Sequence, residues 1–295
     1  VIATAEKTDC NSEVKTMKRL AFTVAAFCLF FSLPAFAEVT GLEEKVRNSE
    51  AVVAVDVTRV DPNLIVIKVT DVLKGGAAAK ALKRVGIGEG GEDQAFKKGE
   101  KAVLFVGEIH EDVAVLYGGV DGRLAAKDGD LNEFKSVIRN LLALDAASGK
   151  AAKTAQLKKM LASPGFYGKF IALQETILKS GDYDLQQMLP LVNPLLKDKN
   201  PKIRSKAMLA VVRIYDFKAN GTSRDDVLLN MLIGMLDDGD IEVRELAGVQ
   251  LKSHSGNRKI SFDAKGTPEE RNKAIQEWKT WVTEKKDDTV ETEFE

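Results

Sequence analysis

The 295-residue chain is poor in the side chains that most often carry chemistry, with two cysteines and two histidines. Both thiols, Cys10 and Cys28, lie near the N-terminus. From Glu38 onward there is none, which excludes a cysteine nucleophile, a thiolate zinc site and a disulfide framework in that part. His110 and His254 are far apart in sequence. No P-loop, no serine in a nucleophile elbow and no paired His-Glu helix motif is present. An excess of one charge is also missing. The 43 Lys and Arg face 44 Asp and Glu, for a net charge of −1, so nothing global attracts nucleic acid or an anionic membrane. The one long apolar run, Leu20 to Leu33, is too short to span a bilayer as a helix.

That run has a context. From Met17 the chain reads MKRLAFTVAAFCLFFSLPAFAEVTG, with Lys18 and Arg19 as a basic start and Pro34 as a break. Ala35 and Ala37 place small residues where a signal peptidase reads. The expectation is a secretory signal over 17–37, cleaved after Ala37, with 1–16 as upstream sequence outside the product. A lipoprotein start at Cys28 is disfavoured because Phe27 stands where a lipobox needs a small residue.

A β domain is expected over 38–130. AVVAVDVTRV (51–60) alternates, with Val53, Val55 and Val57 on one face and Asp56 and Thr58 on the other. Asp61-Pro62-Asn63 supplies a turn, and LIVIKVTDVL (64–73) returns as the second strand of a hairpin. KAVLFV (101–106) and VAVLYGGV (113–120) are the third and fourth strands. Short antiparallel strands of this kind predict a small barrel or sandwich. VTDVLKG, then a glycine-rich gap and FKKGEKAVLFV, resembles the OB-like barrels of the netrin/TIMP-like type.

From Leu131 the period becomes helical, through Phe134, Ile138, Leu141 and Leu142. AASGKAAKTA (146–155) is small and polar and predicts a hinge or loop. The connector is therefore placed at 131–150 and a helical domain at 151–283. Within it, a shift of 40 superposes apolar positions. Met188, Leu191, Val192, Leu195 and Leu196 fall on Leu228, Met231, Leu232, Met235 and Leu236. Each unit reads as two helices, with Asn200 before Pro201 and Asp240 as N-caps of the second. LLKDKNPKIRSKAMLAVV and its echo MLDDGDIEVRELAGVQL resemble HEAT repeats, whose period this is. The resemblance implies a structural ladder of turn acids and arginines, on Asp198, Arg204, Asp238 and Arg244.

Fainter units flank the pair. Ser163-Pro164 and FYGKFIALQETIL (166–178) suggest an earlier one. GTPEERNKAIQEWKTWV (266–282) carries a capping-box start at Thr267 and Glu270 and suggests a terminal cap. The tail 284–295 is charged and is expected to be disordered.

Four apparent sites read better as structure. GIGEGG (86–91) matches a nucleotide-loop pattern, but acids surround it and no strand is expected before it. DGDLNE (128–133) opens like a calcium loop, yet Glu133 and Arg139 stand where glycine and glutamate are needed. Asp128 and Asp130 then serve as acids at a helix start. EIHED (108–112) fits a strand-end turn, and His254 a helix C-terminus. Lys202, Lys206 and Arg213 on one second helix, with Glu242 and Glu245 on the next, are read as a mixed-charge open face.

The expected fold is thus α+β and multidomain: a small antiparallel β-barrel or sandwich followed by an α-helical HEAT-like solenoid. The expected function is a non-enzymatic protein-interaction scaffold or adaptor, periplasmic or secreted, in the bacterial cell envelope. Its partner is another protein on the helical repeat surface. No nucleic acid, no cofactor, no metal and no membrane insertion after cleavage is expected. The alternative is a barrel that binds a peptide, a glycan or an enzyme. A third reading, bilin-lyase-like activity, is implied only by the HEAT resemblance.

Overall fold

The computed structural model describes residues 41–87, 96–117, 122–126, 130–218, 225–256 and 259–287. The two alanines of the expected cleavage site, Ala35 and Ala37, lie outside them. The chain divides into two compact units between Ala172 and Leu173.

The N-terminal unit opens with helix α1 (Leu42–Asn48) and strands β1 (Ala51–Asp61) and β2 (Leu64–Lys74). The turn residues Pro62 and Asn63 bring Asp61 opposite Leu64, so β1 and β2 form the expected hairpin. Helix α2 (Ala77–Ala81), β3 (Arg84–Gly86), β4 (Lys101–His110), β5 (Val113–Leu116) and β6 (Arg123–Ala125) follow. β2 pairs with β3, β3 runs parallel to β5, β5 pairs with β4, and β4 returns to β1. Five strands therefore close a barrel in the order β1-β2-β3-β5-β4, and β6 adds to the outside of the ring through β4. This connectivity fits an OB-like barrel.

The pleat explains the packing. Val53, Val55, Val57, Ile65, Ile67, Val85, Leu104, Val106, Ala114 and Leu116 fill the interior. The opposite face of β1 and β4 is also covered: Val52, Ala54, Val103 and Phe105 are fully buried. Helices supply that cover, which is why the first half of β1 reads as a continuous apolar run and the second half as alternation.

Helix α3 (Asp130–Ala146) provides much of this cover, burying Phe134, Val137, Ile138, Leu141 and Leu144. Ion pairs hold it along its middle and at its C-terminal end. Asp71 on β2 accepts from Arg139 at 2.7 Å and pairs with Lys135 at 3.3 Å. Arg47 on α1 donates to both oxygens of Asp145. Lys74 closes the other side of α1, its ammonium donating to the carbonyls of Val46, Arg47 and Ser49 at 2.6–2.9 Å. A cation at a helix C-terminus satisfies carbonyls that have no partner within the helix. Gly75 then turns the chain with φ of 102°, and a Cβ there would lie 2.8 Å from that of Ala51.

The domain limits differ from the change of period at 130–150. α3 packs on the barrel and belongs to the same unit. The stretch expected to be a loop forms helix α4 (Gly149–Leu161) after a break of two residues, Ala147 and Ser148. Its alanines are strong helix formers, and Leu157, Met160 and Leu161 anchor it.

Helix α5 (Phe166–Leu178) matches the expected segment and carries the division between the units. The C-terminal unit continues with 3₁₀ turns at Ser180–Asp182 and Leu185–Gln187, α6 (Leu189–Val192) and a 3₁₀ segment at Asn193–Lys197. The sequence pattern predicts one helix over 188–196. Pro190 and Pro194 instead restart the chain twice, each near the beginning of a new segment. Helices α7 (Pro201–Lys218), α8 (Asp226–Met235), α9 (Ile241–His254) and α10 (Pro268–Asp287) complete it. Thr267 and Glu270 form the reciprocal capping box at the start of α10. Ala274, Ile275, Trp278 and Val282 are its buried face. The helix extends to Asp287, so the expected disordered tail begins too early; 288–295 lie outside the described residues. No described helix is long and apolar enough to cross a membrane.

Candidate functional site

The two turns of the helical pairs are built alike. Asp198 accepts from the Asn200 amide at 2.9 Å, and Asn200 caps α7 by accepting from Lys202 N at 2.9 Å. Forty residues on, Asp238 accepts from the Asp240 amide at 2.8 Å. Asp240 caps α9 through Glu242 N and Val243 N. The carboxylate at the first position stiffens the turn, and the side chain at the third satisfies the free helix amides.

The arginines extend this pattern across space. Arg204 donates through Nη1 to the Asp198 carbonyl at 2.8 Å, within its own turn. Its Nε and Nη2 reach the two carboxylate oxygens of Asp238 at 2.8 and 2.6 Å, in the next turn. The side chains are 15% and 10% exposed. The Asp238 hydrogen bond pushes the Arg204 guanidinium above its ordinary value; burial opposes this, and the Asp238, Asp240 and Asp198 charges add to it. Arg244 repeats the gesture with a different acceptor. Nη1 donates to the Asp238 carbonyl at 2.8 Å, while Nε and Nη2 both donate to the Ala264 carbonyl, at 3.0 and 2.8 Å. Each guanidinium thus joins its own turn to the segment that follows.

A second polar cluster is not marked by any sequence motif. Glu175 on α5 is buried, and both its oxygens are engaged: Lys179 donates at 2.7 Å and the Tyr183 hydroxyl at 2.6 Å. Arg213 donates to the buried Ser180 hydroxyl at 3.1 Å. The ammonium and the phenol each donate to one oxygen and so favour the ionised carboxylate. The only sequence signal was a lone glutamate inside an apolar stretch, FIALQETIL.

The mixed-charge face takes a different form from the one expected. Lys206 is buried, so it does not lie on an open surface. Arg213 faces inward to Ser180, as above. Lys202 and Glu242 are half-buried and Glu245 is exposed. The outward stripe of α9 is Ile241, Glu245, Val249 and Lys252, in which apolar and charged residues alternate. A shallow groove runs along α10, with Ile260 and Trp281 as its apolar wall and Glu277 and Glu284 beside them.

The motif candidates settle into structural places. Gly86 ends β3, a strand not expected there, and the Ile87 amide donates to Asn63 O; residues 88–95 lie outside the described segments. Asp130 starts α3, as expected for a helix-terminal acid, with Glu133 in the same first turn; Asp128 lies outside the described residues. Glu133 reaches across to accept from the Tyr167 amide at 2.6 Å, so it caps α5. Glu108 to His110 continue β4 beyond the expected strand end, and His110 lies 3.4 Å from Glu108. His254 ends α9, as expected. Among the described residues, no three His, Cys, Asp or Glu side chains are grouped to hold a metal. No protein-family model, curated protein or solved structure matches the chain.

Proposed function

We propose that the C-terminal unit is a HEAT-like solenoid and that the protein is an exported, non-enzymatic interaction scaffold of the cell envelope. The observation that carries this reading is the repeated arginine contact. Arg204 and Arg244, forty residues apart, each hold their own turn by the same Nη1-to-carbonyl bond and reach the next segment through Nε and Nη2. A helix pair that reuses one interface is a repeat array, and such arrays present a continuous surface to extended partners. The partner is a protein segment with apolar anchors, placed against Ile241 and Val249 of α9. Both are among the exposed large apolar side chains, with Glu245 and Lys252 between and beyond them to fix register. In this reading the segment 17–37 is the export signal and the product starts at Glu38. Photo-crosslinking from position 249 in intact cells tests the surface. A discrete adduct lost on Ile241→Asp supports it, and crosslinking unaffected by that change refutes it.

A second reading places binding on the barrel, as in a netrin/TIMP-like domain. Val115 favours it, being 51% exposed on a strand whose neighbours Ala114 and Leu116 are buried. Leu64, Gly86 and Val115 lie in one row across β2, β3 and β5. A peptide, glycan or enzyme loop seated there would be displaced by Val115→Lys and untouched by changes in α9.

A further inference from the structure

We infer that Asp216 and His254 form a protonation-controlled clasp between the C-terminal ends of α7 and α9. The imidazole stands between two acceptors. Its Nδ1 lies 2.8 Å from the Gln250 carbonyl, one turn back on α9. Its Nε2 lies 3.0 Å from Asp216 Oδ1 on α7. A neutral imidazole has one N–H, so it satisfies one of these and turns a lone pair toward the other. Only the doubly protonated ring donates to both, and only that ring pairs its charge with the carboxylate. The ring is largely enclosed, with 19% of its side chain exposed, while Asp216 is 44% exposed.

The rest of this end is consistent with a cation. α9 finishes here, with Lys252 and His254 in its last turn, where the helix dipole favours positive charge. From the elements packed against it come acids and a phenol. α8 begins with Asp225 and Asp226, the first of which caps that helix through Val227 N and Leu228 N. Tyr215 precedes Asp216 on α7; burial, then the Asp225 charge, push its hydroxyl above the ordinary value. Lys252 is the opposing charge, on the solvent side of its own helix.

The consequence lies in where the clasp sits. The same two helices are joined at their N-terminal ends by Arg204 and Asp238, an ion pair that holds its charges throughout the neutral range. One end of the α7–α9 contact is fixed and the other depends on a proton. The clasp is complete while the ring carries both protons and is released as pH rises and one is lost. Release lets the C-terminal ends separate while the arginine holds the N-terminal ends. The inference goes beyond the scaffold reading and does not depend on it.

The chain has only two histidines, so the ring protons can be followed by NMR in the full-length protein, with His110→Gln assigning the signals. Asp216→Asn should move the His254 titration to lower pH and leave that of His110 in place. Hydrogen exchange between about pH 5 and pH 8, corrected for its intrinsic pH dependence, supplies the second readout. Opening at the C-terminal ends of α7 and α9 should rise roughly two- to fivefold over that range in the wild type. It should not change with pH in Asp216→Asn, nor at the N-terminal ends of either protein. A His254 titration unmoved by Asp216→Asn, or opening at the C-terminal ends that ignores pH in the wild type, would overturn the clasp.

Discussion

Replacing Arg204 by alanine removes the contact that joins the two helical pairs. Three donors are lost: two to the Asp238 carboxylate and one to the Asp198 carbonyl. A hydrogen bond to a charged group contributes about 1.5–3 kcal/mol. Removing one partner of a buried pair costs about 3–5 kcal/mol, because the other charge is left uncompensated. Asp238 is 10% exposed and keeps the Asp240 amide as a donor, so water and that amide recover part of the loss. The expected cost is about 3 kcal/mol. Arg244→Ala leaves two carbonyls and no carboxylate unpaired, and should cost about 2 kcal/mol. Both tryptophans lie in α10, at 278 and 281. Their fluorescence during urea unfolding therefore reports the C-terminal unit and not the barrel. Glu245→Ala, on the exposed stripe of α9, is the control and should stay within about 0.5 kcal/mol. Lys206, the control that an open face would have offered, is buried and unsuitable. The decisive measurement is the cycle of Arg204→Ala with Asp238→Ala. Strict additivity of the two would refute the coupling, as would a cost for Arg204→Ala no larger than that of Glu245→Ala.

Other changes probe the barrel and the export reading. Phe105→Ala opens a cavity between the barrel wall and its helices and should cost about 3–5 kcal/mol, read from far-UV circular dichroism on urea titration. Burial raises the Asp71 carboxyl, but the Lys135 hydrogen bond, the Arg139 and Lys135 charges and the Arg139 hydrogen bond together hold it below the ordinary 3.8. A carboxyl lowered on folding stabilises above its unfolded value and loses that contribution as pH falls through the folded one. Asp71→Asn should therefore destabilise at neutral pH and flatten the loss of stability below about pH 4, and equal slopes in both proteins would contradict this. Gly75→Ala should cost more than about 1 kcal/mol, since it meets both a positive φ and the Cβ of Ala51. Mass spectrometry of exported protein should find Glu38 at the N-terminus; a lipidated Cys28 would refute release as a soluble product.

Much of the fold was legible because period and punctuation agreed. The β1–β2 hairpin followed from alternation on both sides of Asp61-Pro62-Asn63. The start of α10 followed from its capping box at Thr267 and Glu270. The failures have physical causes. β3 and β6 are three residues long and carry no period of their own; β3 is defined by closing the ring between β2 and β5, and β6 by pairing with β4 outside it. α4 was hidden by alanine, which looks like loop composition and behaves as a helix former. The broken helix at 188–197 has a helical apolar pattern, and its prolines decided the outcome. Lys206 shows a limit of charge reading, since α7 has neighbours on most of its circumference and leaves little open face. The Glu175 cluster was beyond reach because its members meet only once the chain has turned at Ser180–Asp182.

The acceptors used by the two arginines set different limits on sequence drift. Arg204 needs a carboxylate at position 238, so a change at either site calls for a matching change at the other. Arg244 needs only the main-chain oxygen of residue 264, which every amino acid supplies. As far as this bond is concerned, the segment before α10 can vary in sequence while it keeps its path. An insertion that displaces residue 264 would break the contact that a substitution there would spare. Related chains should therefore show paired changes between the helical pairs, and free substitution but constant length where the last pair meets its cap.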